Sequence, residues 1–427
     1  MDKSRKAGEA TQAPPPRSPI MSAVTAPPAP AAAPDQSATA DKPAQPPFTV
    51  DGNRLTLVDT GSGRLEALVE LIESARRSLR VLFYIYKEDA AGRRVLDALV
   101  AAARRGVKVS LIIDSFGSDA SDDFFEPLEQ AGGSMCWFAP RFGRRYLLRN
   151  HQKLALADAE GDEPRAMTGG FNVENCYLGD DPADCWRDLG LVVEGPAAGR
   201  LARYFDALHE WVRGPRPKLR QLNRAMARCS EKEGKLRWLI GGPTKRLSPW
   251  ARTLRSDMRR ARRIDIVAGY FAPSPTMLRR LDRAGRKGRE VRVVTASKSD
   301  NEVTVAAARF TYAGLLRKGV RVFEYLPVKL HTKLYAADDA VHIGSANFDM
   351  RSLFVNLELM LRIEDAAFAR HVRAYVDGEV AQSDEITPED YRRRTGPLTR
   401  ARQFLAYMLV GVVDPSVSRG LNLGLGE

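Results

Sequence analysis

Residues 150–158 read NHQKLALAD and residues 330–338 read LHTKLYAAD, two copies of H-x-K-x4-D whose histidines stand 180 positions apart. The first copy supplies His151, Lys153 and Asp158, and the second His331, Lys333 and Asp338. In an extended strand alternate side chains share a face, so each histidine points the same way as the lysine two places on. With five histidines in the chain, composition arithmetic gives about one chance in twenty thousand that two such patterns arise by accident. The pair is a signal.

Outward from these motifs the chain reads twice. RLEALVELIESARRSL leads into the apolar run RVLFYIY (80–86), and GRRVLDALVAAARRG leads into VKVSLIID (107–114). The second half repeats the scheme: PWARTLRSDMRRARR leads into IDIVAGYF (264–271), and SPTMLRRLDRAGRKG into REVRVVTA (289–296). Short β-branched or aromatic runs alternating with amphipathic helical stretches predict an α/β fold. Phe271 follows Tyr86 by 185 residues, close to the spacing of the histidines, which points to an internal duplication. The expected architecture is two similar α/β sandwich units related by a pseudo-twofold duplication, with one shared active-site cleft.

An imidazole beside an ammonium, supplied twice, suits a phosphodiester. One neutral histidine attacks phosphorus, the lysines neutralise the oxyanions, and the other histidine, protonated, donates to the leaving oxygen. Downstream of the motifs, MTGGFN (167–172) and IGSANF (343–348) align Gly170 with Ser345 and Asn172 with Asn347. Small residues permit close approach, and an Asn amide N–H can bind a phosphoryl oxygen. A carboxylate follows each, Asp188 and Glu358. A buried carboxylate accepting an imidazole N–H would fix that ring's tautomer and support its charge.

HQK-x4-D with GGFN, and HTK-x4-D with GSANFDMRSLFVNLE, resemble the phospholipase D superfamily, and most closely the bacterial cardiolipin synthases. The resemblance covers Thr56 to Val376. It implies metal-independent, ping-pong phosphatidyl transfer through a phosphohistidine, with no cofactor. Carried over by position, His151 is the nucleophile and His331 the general acid. Lys153, Lys333, Asn172 and Asn347 bind phosphate, Ser345 belongs to the same phosphate-binding or orienting set, and Asp188 and Glu358 orient the histidines. Asp158 and Asp338 complete the catalytic motifs as structural partners. Two departures stand out: Gly170 lacks the hydroxyl of Ser345, and AEGDEPR (159–165) lengthens the first hairpin.

The chain carries 66 Lys+Arg against 53 Asp+Glu, a formal charge of +13, which draws it to anionic partners without choosing among them. Its four cysteines show no zinc-binding spacing; Cys176 and Cys185 are the pair near enough in sequence to bridge. No secretory signal and no run of about 18 apolar residues is present, so the expected location is cytoplasmic, peripheral at the inner membrane. Nothing in the sequence speaks to oligomeric state.

Residues 1–47 read as a disordered Pro/Ala-rich tail that contains a second candidate start, Met21. The expected divisions after it are a first unit over 48–211, a basic connector over 212–247, a second unit over 248–380, and a C-terminal segment over 381–427. The connector is either a solvated helix or a positive rim over an anionic substrate. LTRARQFLAYMLVGVVD (398–414) is either a helix lying in the membrane interface or a core helix. Arg141, Arg144, Arg145 and Arg149 either gather phosphate or form an exposed basic loop. Tyr86 and Phe271 either wall the cleft or pack in the core, while His209, His342 and His371 lack a lysine partner and read as packing or surface residues. The leading function is cardiolipin synthesis from an anionic phospholipid, phosphatidylglycerol. Phosphatidylserine synthesis or phospholipid hydrolysis are neighbouring alternatives. A nucleic-acid phosphodiesterase is the alternative that the apolar C-terminal stretch weighs against.

Overall fold

The computed structural model describes residues 47–139, 148–215, 217–244 and 247–412. The first sheet draws on β1 (Phe48–Val50), β2 (Asn53–Val58), β3 (Ser78–Phe83), β4 (Lys108–Asp114), β5 (Ser134–Phe138), β6 (Leu154–Ala157) and β7 (Arg165–Gly169); past the short β8 (Trp186–Arg187) it ends with β9 (Gly190–Glu194). The second half contains β10 (Leu236–Gly241), β11 (Arg263–Ala268), β12 (Phe271–Ala272), β13 (Glu290–Ala296), β14 (Arg321–Tyr325) and β15 (Lys329–Leu330). It continues with β16 (Lys333–Ala337), β17 (Ala340–Gly344), β18 (Phe348–Asp349), β19 (Glu358–Glu364) and β20 (Ser383–Glu385).

The two large sheets run β1-β2-β9-β7-β6-β3-β4-β5 and β10-β19-β17-β16-β11-β13-β14-β20. Seven strands correspond one for one, and the eighth lies at opposite edges. The parallel pairs keep equivalent register, with Ser78 opposite Lys108 and Arg263 opposite Glu290. The turn after β6 runs from Asp158 to Pro164, whereas that after β16 is Asp338–Asp339 alone. The expected pair of similar α/β units is what the chain forms.

Helices α1 (Gly61–Ser74), α2 (Ala90–Arg104), α3 (Asp122–Gln130), α4 (Asn175–Leu178), α5 (Pro196–Gly199), α6 (Ala202–Arg213) and α7 (Leu219–Cys229) belong to the first half. The second has α8 (Pro249–Arg260), α9 (Pro275–Arg286), α10 (Glu302–Leu316), α11 (Met350–Phe354), α12 (Ala366–Ala381), α13 (Pro388–Arg394) and α14 (Pro397–Val412). Their starts are written in the sequence: the Asp89 side chain accepts from Gly92 N–H before α2, and Ser274 from Met277 N–H before α9. Strand alternation then divides the core. Leu79, Val81 and Phe83 face α1 and α2, while Leu82 joins a central core with Val267 and Leu334 of the second sheet and Phe205 and Val372 of α6 and α12. Buried on both faces, these strands read as unbroken apolar runs.

One expectation changes. The span 212–247 is not only a connector: Leu222 and Met226 of α7 are buried, and from Leu236 the chain already forms the edge strand β10. In the C-terminal helix Ala406, Tyr407 and Val410 pack against α10, as a core helix would, while Leu398, Phe404, Leu405 and Met408 are exposed. Cys176 and Cys185 are free thiols, as expected of a chain read without a secretory signal. The N-terminal tail up to residue 46, Arg141, Arg144, Arg145 and residues 413–427 lie outside the described residues.

Candidate active site

Each histidine stands just ahead of its strand, and the other unit holds its backbone. His151 N–H donates to Leu357 O at 3.0 Å, and His331 N–H donates to Arg187 O at 2.8 Å, where β15 pairs in parallel with β8. The carboxylates cross the same seam. His331 Nδ1 lies 2.6 Å from Asp188 Oδ2, and His151 Nδ1 lies 3.1 Å from Glu358 Oε2. Sequence order set each carboxylate downstream of the motif in its own copy; the fold delivers it to the histidine of the other. With Nδ1 so engaged, Nε2 is the ring nitrogen left for chemistry.

Lys153 Nζ donates to His151 O at 2.6 Å, and Lys333 Nζ donates equivalently to His331 O. All four motif groups are buried, and that burial is the first influence on their protonation. Burial, reinforced by Lys333, pulls His331 down to about 3, and burial with Lys153 also lowers His151. Burial lowers Lys333 to about 8 and takes Lys153 well below the ordinary lysine range. Burial would raise Asp188, but Lys333 and His331 outweigh it and keep the carboxyl below its usual value. Glu358 is lowered in the same way, with His151 and Lys153 outweighing burial. Both imidazoles are thus shifted toward the neutral form and both carboxyls toward the carboxylate, a set that a phosphodiester anion would complete.

The residues after the motifs divide into two kinds. Asn172 Oδ1 accepts from Ile85 N–H at 3.2 Å, which fixes the amide with its NH2 end opposite. Asn347 is buried, and its N–H donates to Ser352 Oγ at 3.2 Å. Ser345 Oγ donates to Glu358 Oε2 at 2.5 Å, so its hydroxyl serves the carboxylate. Gly170 has no such freedom, because a Cβ there would meet the Asp188 carboxylate and come within 2.8 Å of Lys333 Cδ. Asp158 and Asp338 lie away from the chemistry. Five residues along the strand from each lysine, about 16 Å, they sit at φ 48 and accept backbone N–H groups from Arg76, Arg77 and Ser78, and from Arg262 and Arg263. They anchor turns, so their place in the catalytic set is structural.

Comparison with known proteins follows this geometry. The family described as "Cardiolipin synthase, PLD-like domain" matches residues 68–209 and 254–379. The chain belongs to this cardiolipin synthase family of phospholipase D-type phosphatidyltransferases. Cardiolipin synthase A of Pseudomonas aeruginosa is 32% identical over 376 residues, covering 86% of this chain and 74% of that protein. Cardiolipin synthase 1 of Bacillus anthracis is 28% identical over 361 residues, covering 81% and 70%. A solved phosphatidylserine synthase of Haemophilus influenzae superposes with a TM-score of 0.61 at 13% identity, covering 86% of this chain and 94% of that one, and so shares the fold.

In this cardiolipin synthase family member, several groups around the histidines carry no motif. Gln152 and Thr332, the x of each H-x-K, point to the opposite face. Gln152 Nε2 donates to Glu358 O at 3.1 Å, and Gln152 Oε1 accepts from the Tyr204 hydroxyl at 2.9 Å. Thr332 Oγ1 reaches Arg187 O at 3.4 Å and the Tyr375 hydroxyl at 3.3 Å. Arg187 pairs with Asp59 at 3.0 Å and with Glu379 of α12 at 2.6 Å, tying the two units at the seam. The aromatic walls are Tyr84, 5.0 Å from His151, and Tyr177, Trp186 and Tyr270, at 5.0, 5.3 and 5.9 Å from His331. Tyr86 and Phe271 are instead core residues, packed on Phe125 and Phe348. An aromatic residue ending a strand was the available signal, but one or two positions decide whether it faces the core or the cleft. Arg149 is buried with its guanidinium over Phe116 at 3.5 Å, and so belongs to no exposed loop. His342 pairs with Asp257, His209 stacks on Phe205, and His371 stacks on Phe48. Among the described residues there is no group of three or more His, Cys, Asp or Glu that could hold a metal ion, and no helix long and apolar enough to cross a membrane.

Proposed function

We propose that the protein makes cardiolipin from two phosphatidylglycerols through one covalent intermediate. The observation that carries this reading is the exchange of carboxylates across the seam, which converts two motifs into one site. The His151 Nε2 lone pair forms a bond to phosphorus. The bound phosphodiester anion favours uptake of a proton from solvent at His331 Nε2; as the phosphorus–oxygen bond to glycerol breaks, that oxygen takes this proton, releasing glycerol. Lys153 and Lys333, with the amides of Asn172 and Asn347, offset the oxyanion charge that a divalent ion would otherwise neutralise. A hydroxyl of the second phosphatidylglycerol then returns a proton to His331 and attacks phosphorus, the phosphorus–nitrogen bond breaks, and cardiolipin leaves. Asp188 supports His331 as the acid because its Oδ2 is unshared, whereas Glu358 Oε2 serves both His151 and Ser345. Water in place of the second alcohol would give simple hydrolysis.

The reaction places the chain at a membrane from the side. The exposed Leu398, Phe404, Leu405 and Met408 of α14 supply apolar surface for such contact. Acid-quenched reactions analysed by mass spectrometry test the chemistry. A phosphatidyl adduct on His151, with cardiolipin and glycerol formed one for one after exhaustive chelation, is the expected result. An adduct on His331 would reverse the two roles. Product formation that needs added divalent ion would overturn the mechanism.

A further inference from the structure

The duplication contains an internal control for surface charge. Helices α1 and α2 of the first unit and α8 and α9 of the second occupy equivalent places, each leading into the same strands. Together α1 and α2 carry four arginines against three glutamates and one aspartate. Their charges are also compensated, with Arg64 buried and Arg94 paired to Glu66 at 2.7 Å. Helices α8 and α9 carry eight arginines against Asp257 and Asp282. Asp257 is turned to His342 and Arg362. None of the eight arginines makes an ion pair among the described residues. They also lie close together: burial and the neighbouring Arg255, Arg283 and Arg259 lower Arg280 from its ordinary value.

We infer that the arginine face of α8 and α9 is the surface on which the protein docks to an anionic phospholipid bilayer. This rests on the phosphatidyl-transfer reading for its lipid. Unpaired like charges on one face repel one another, and a surface of opposite sign relieves that repulsion. Nucleic acid would do so as well; the neighbouring helix decides between them. α14 packs on α10, and its Tyr407 hydroxyl donates to Pro273 O at 2.6 Å, two residues before α9 begins. The helix therefore passes beside the start of α9, where Leu278 joins the same apolar cluster, and it carries the exposed Phe404, Leu405 and Met408. Basic residues beside exposed apolar ones match a bilayer interface, whereas a phosphate backbone has no use for the apolar strip. Among the described residues α1 and α2 of the first unit present no equivalent, so the molecule approaches the membrane by α8 and α9.

The test compares two variants of equal charge loss in the full chain. One replaces Arg252, Arg259, Arg279, Arg283 and Arg286 with Gln; the other replaces Arg76, Arg77, Arg93, Arg94 and Arg104. Each basic residue at an anionic surface contributes about fivefold to binding. Even with only two of its five arginines at full contact, the first variant should therefore sediment with phosphatidylglycerol/phosphatidylcholine vesicles at least about 25-fold more weakly, and with a shallower salt dependence. The second should change less than about threefold. Both should turn over a monodisperse short-chain phosphatidylglycerol at the wild-type rate. Unchanged vesicle binding in the first variant, or equal losses in both, overturns the docking face. Loss of DNA retention with vesicle binding intact overturns it in favour of nucleic acid. Turnover of the short-chain lipid by the wild-type protein is read separately: its absence would sink the phosphatidyl-transfer reading, while vesicle binding alone decides the docking face.

Discussion

At His331, Asp188 gives Oδ2 to the imidazole at 2.6 Å and Oδ1 to Leu189 N–H at 2.7 Å. At His151, Glu358 divides itself among the imidazole, the Ser345 hydroxyl at 2.5 Å and the Ser352 hydroxyl at 2.7 Å. The backbones around the two are equivalent; the occupation of the carboxylates is not. One residue lies behind much of the difference, because Gly170 leaves Asp188 Oδ2 to His331 alone and makes room for Lys333, while Ser345 adds a donor to the Glu358 oxygen that His151 uses. A duplicated scaffold can in this way give its two histidines different tasks without moving either. An undivided carboxylate supports an imidazolium best, and a shared one suits a ring that reacts neutral.

The most severe test removes the histidines. His151→Ala and His331→Ala should each lower kcat by about 10⁴-fold or more, and the double variant should be little worse, because groups acting as one unit are non-additive. If either single variant keeps most of its turnover, the one-site reading fails. Next come the carboxylates. Asp188→Asn should cost about 10³-fold and Glu358→Gln about 10²-fold, since a wrong tautomer costs most where no other donor shares the carboxylate. In NMR titrations Asp188→Asn should shift His331 and leave His151 in place. The reverse assignment would break the crossed pairing.

Exchanging the small residues sharpens the comparison. Gly170→Ser forces a Cβ against Asp188 and Lys333 and should cost about 10²-fold, while Ser345→Gly, which only removes a donor, should cost about tenfold. Equal effects would mean that the asymmetry does not matter. The mildest expectation concerns pH. Lys333 is lowered by burial to about 8, so kcat/KM should fall about tenfold per pH unit above that point as the ammonium is lost. Stability should move the other way. Between about pH 8 and 10 the unfolded chain binds the proton that folded Lys333 has released, so the free energy of unfolding rises. Urea melts of wild type and Lys333→Met should show the steeper rise in the wild type; parallel slopes would remove Lys333 as the cause.

Much of this was legible because it depends on local spacing. The i, i+2 separation of His151 and Lys153 and its repetition at His331 and Lys333 fixed the motif, and alternating apolar runs fixed the strands. The single glycine at 170 against Ser345 also marked the place where the halves differ. What spacing does not contain is the partner across a seam. Nothing local says that Glu358 meets His151 rather than His331, because that contact arises where Asn150 and Leu357, from different units, bridge in parallel. Gln152 and Thr332 were passed over for the same reason: their partners Tyr204 and Tyr375 lie on α6 and α12, far along the chain. The beginning of β10 was hidden by composition, since its apolar LRWLIG follows a run of arginines and lysines that reads as solvated.

The exchanged carboxylates also bear on ancestry. A chain holding only one unit would own a histidine and a carboxylate that cannot meet. Two such chains, related by a twofold axis, would complete both pairs at once, since an isologous contact supplies every interaction twice. The present protein is then legible as a symmetric dimer joined into one polypeptide. Joining has a consequence that symmetry forbids: once the copies sit in a single gene, a substitution such as Gly for Ser enters one half alone, and selection can act on the two halves separately.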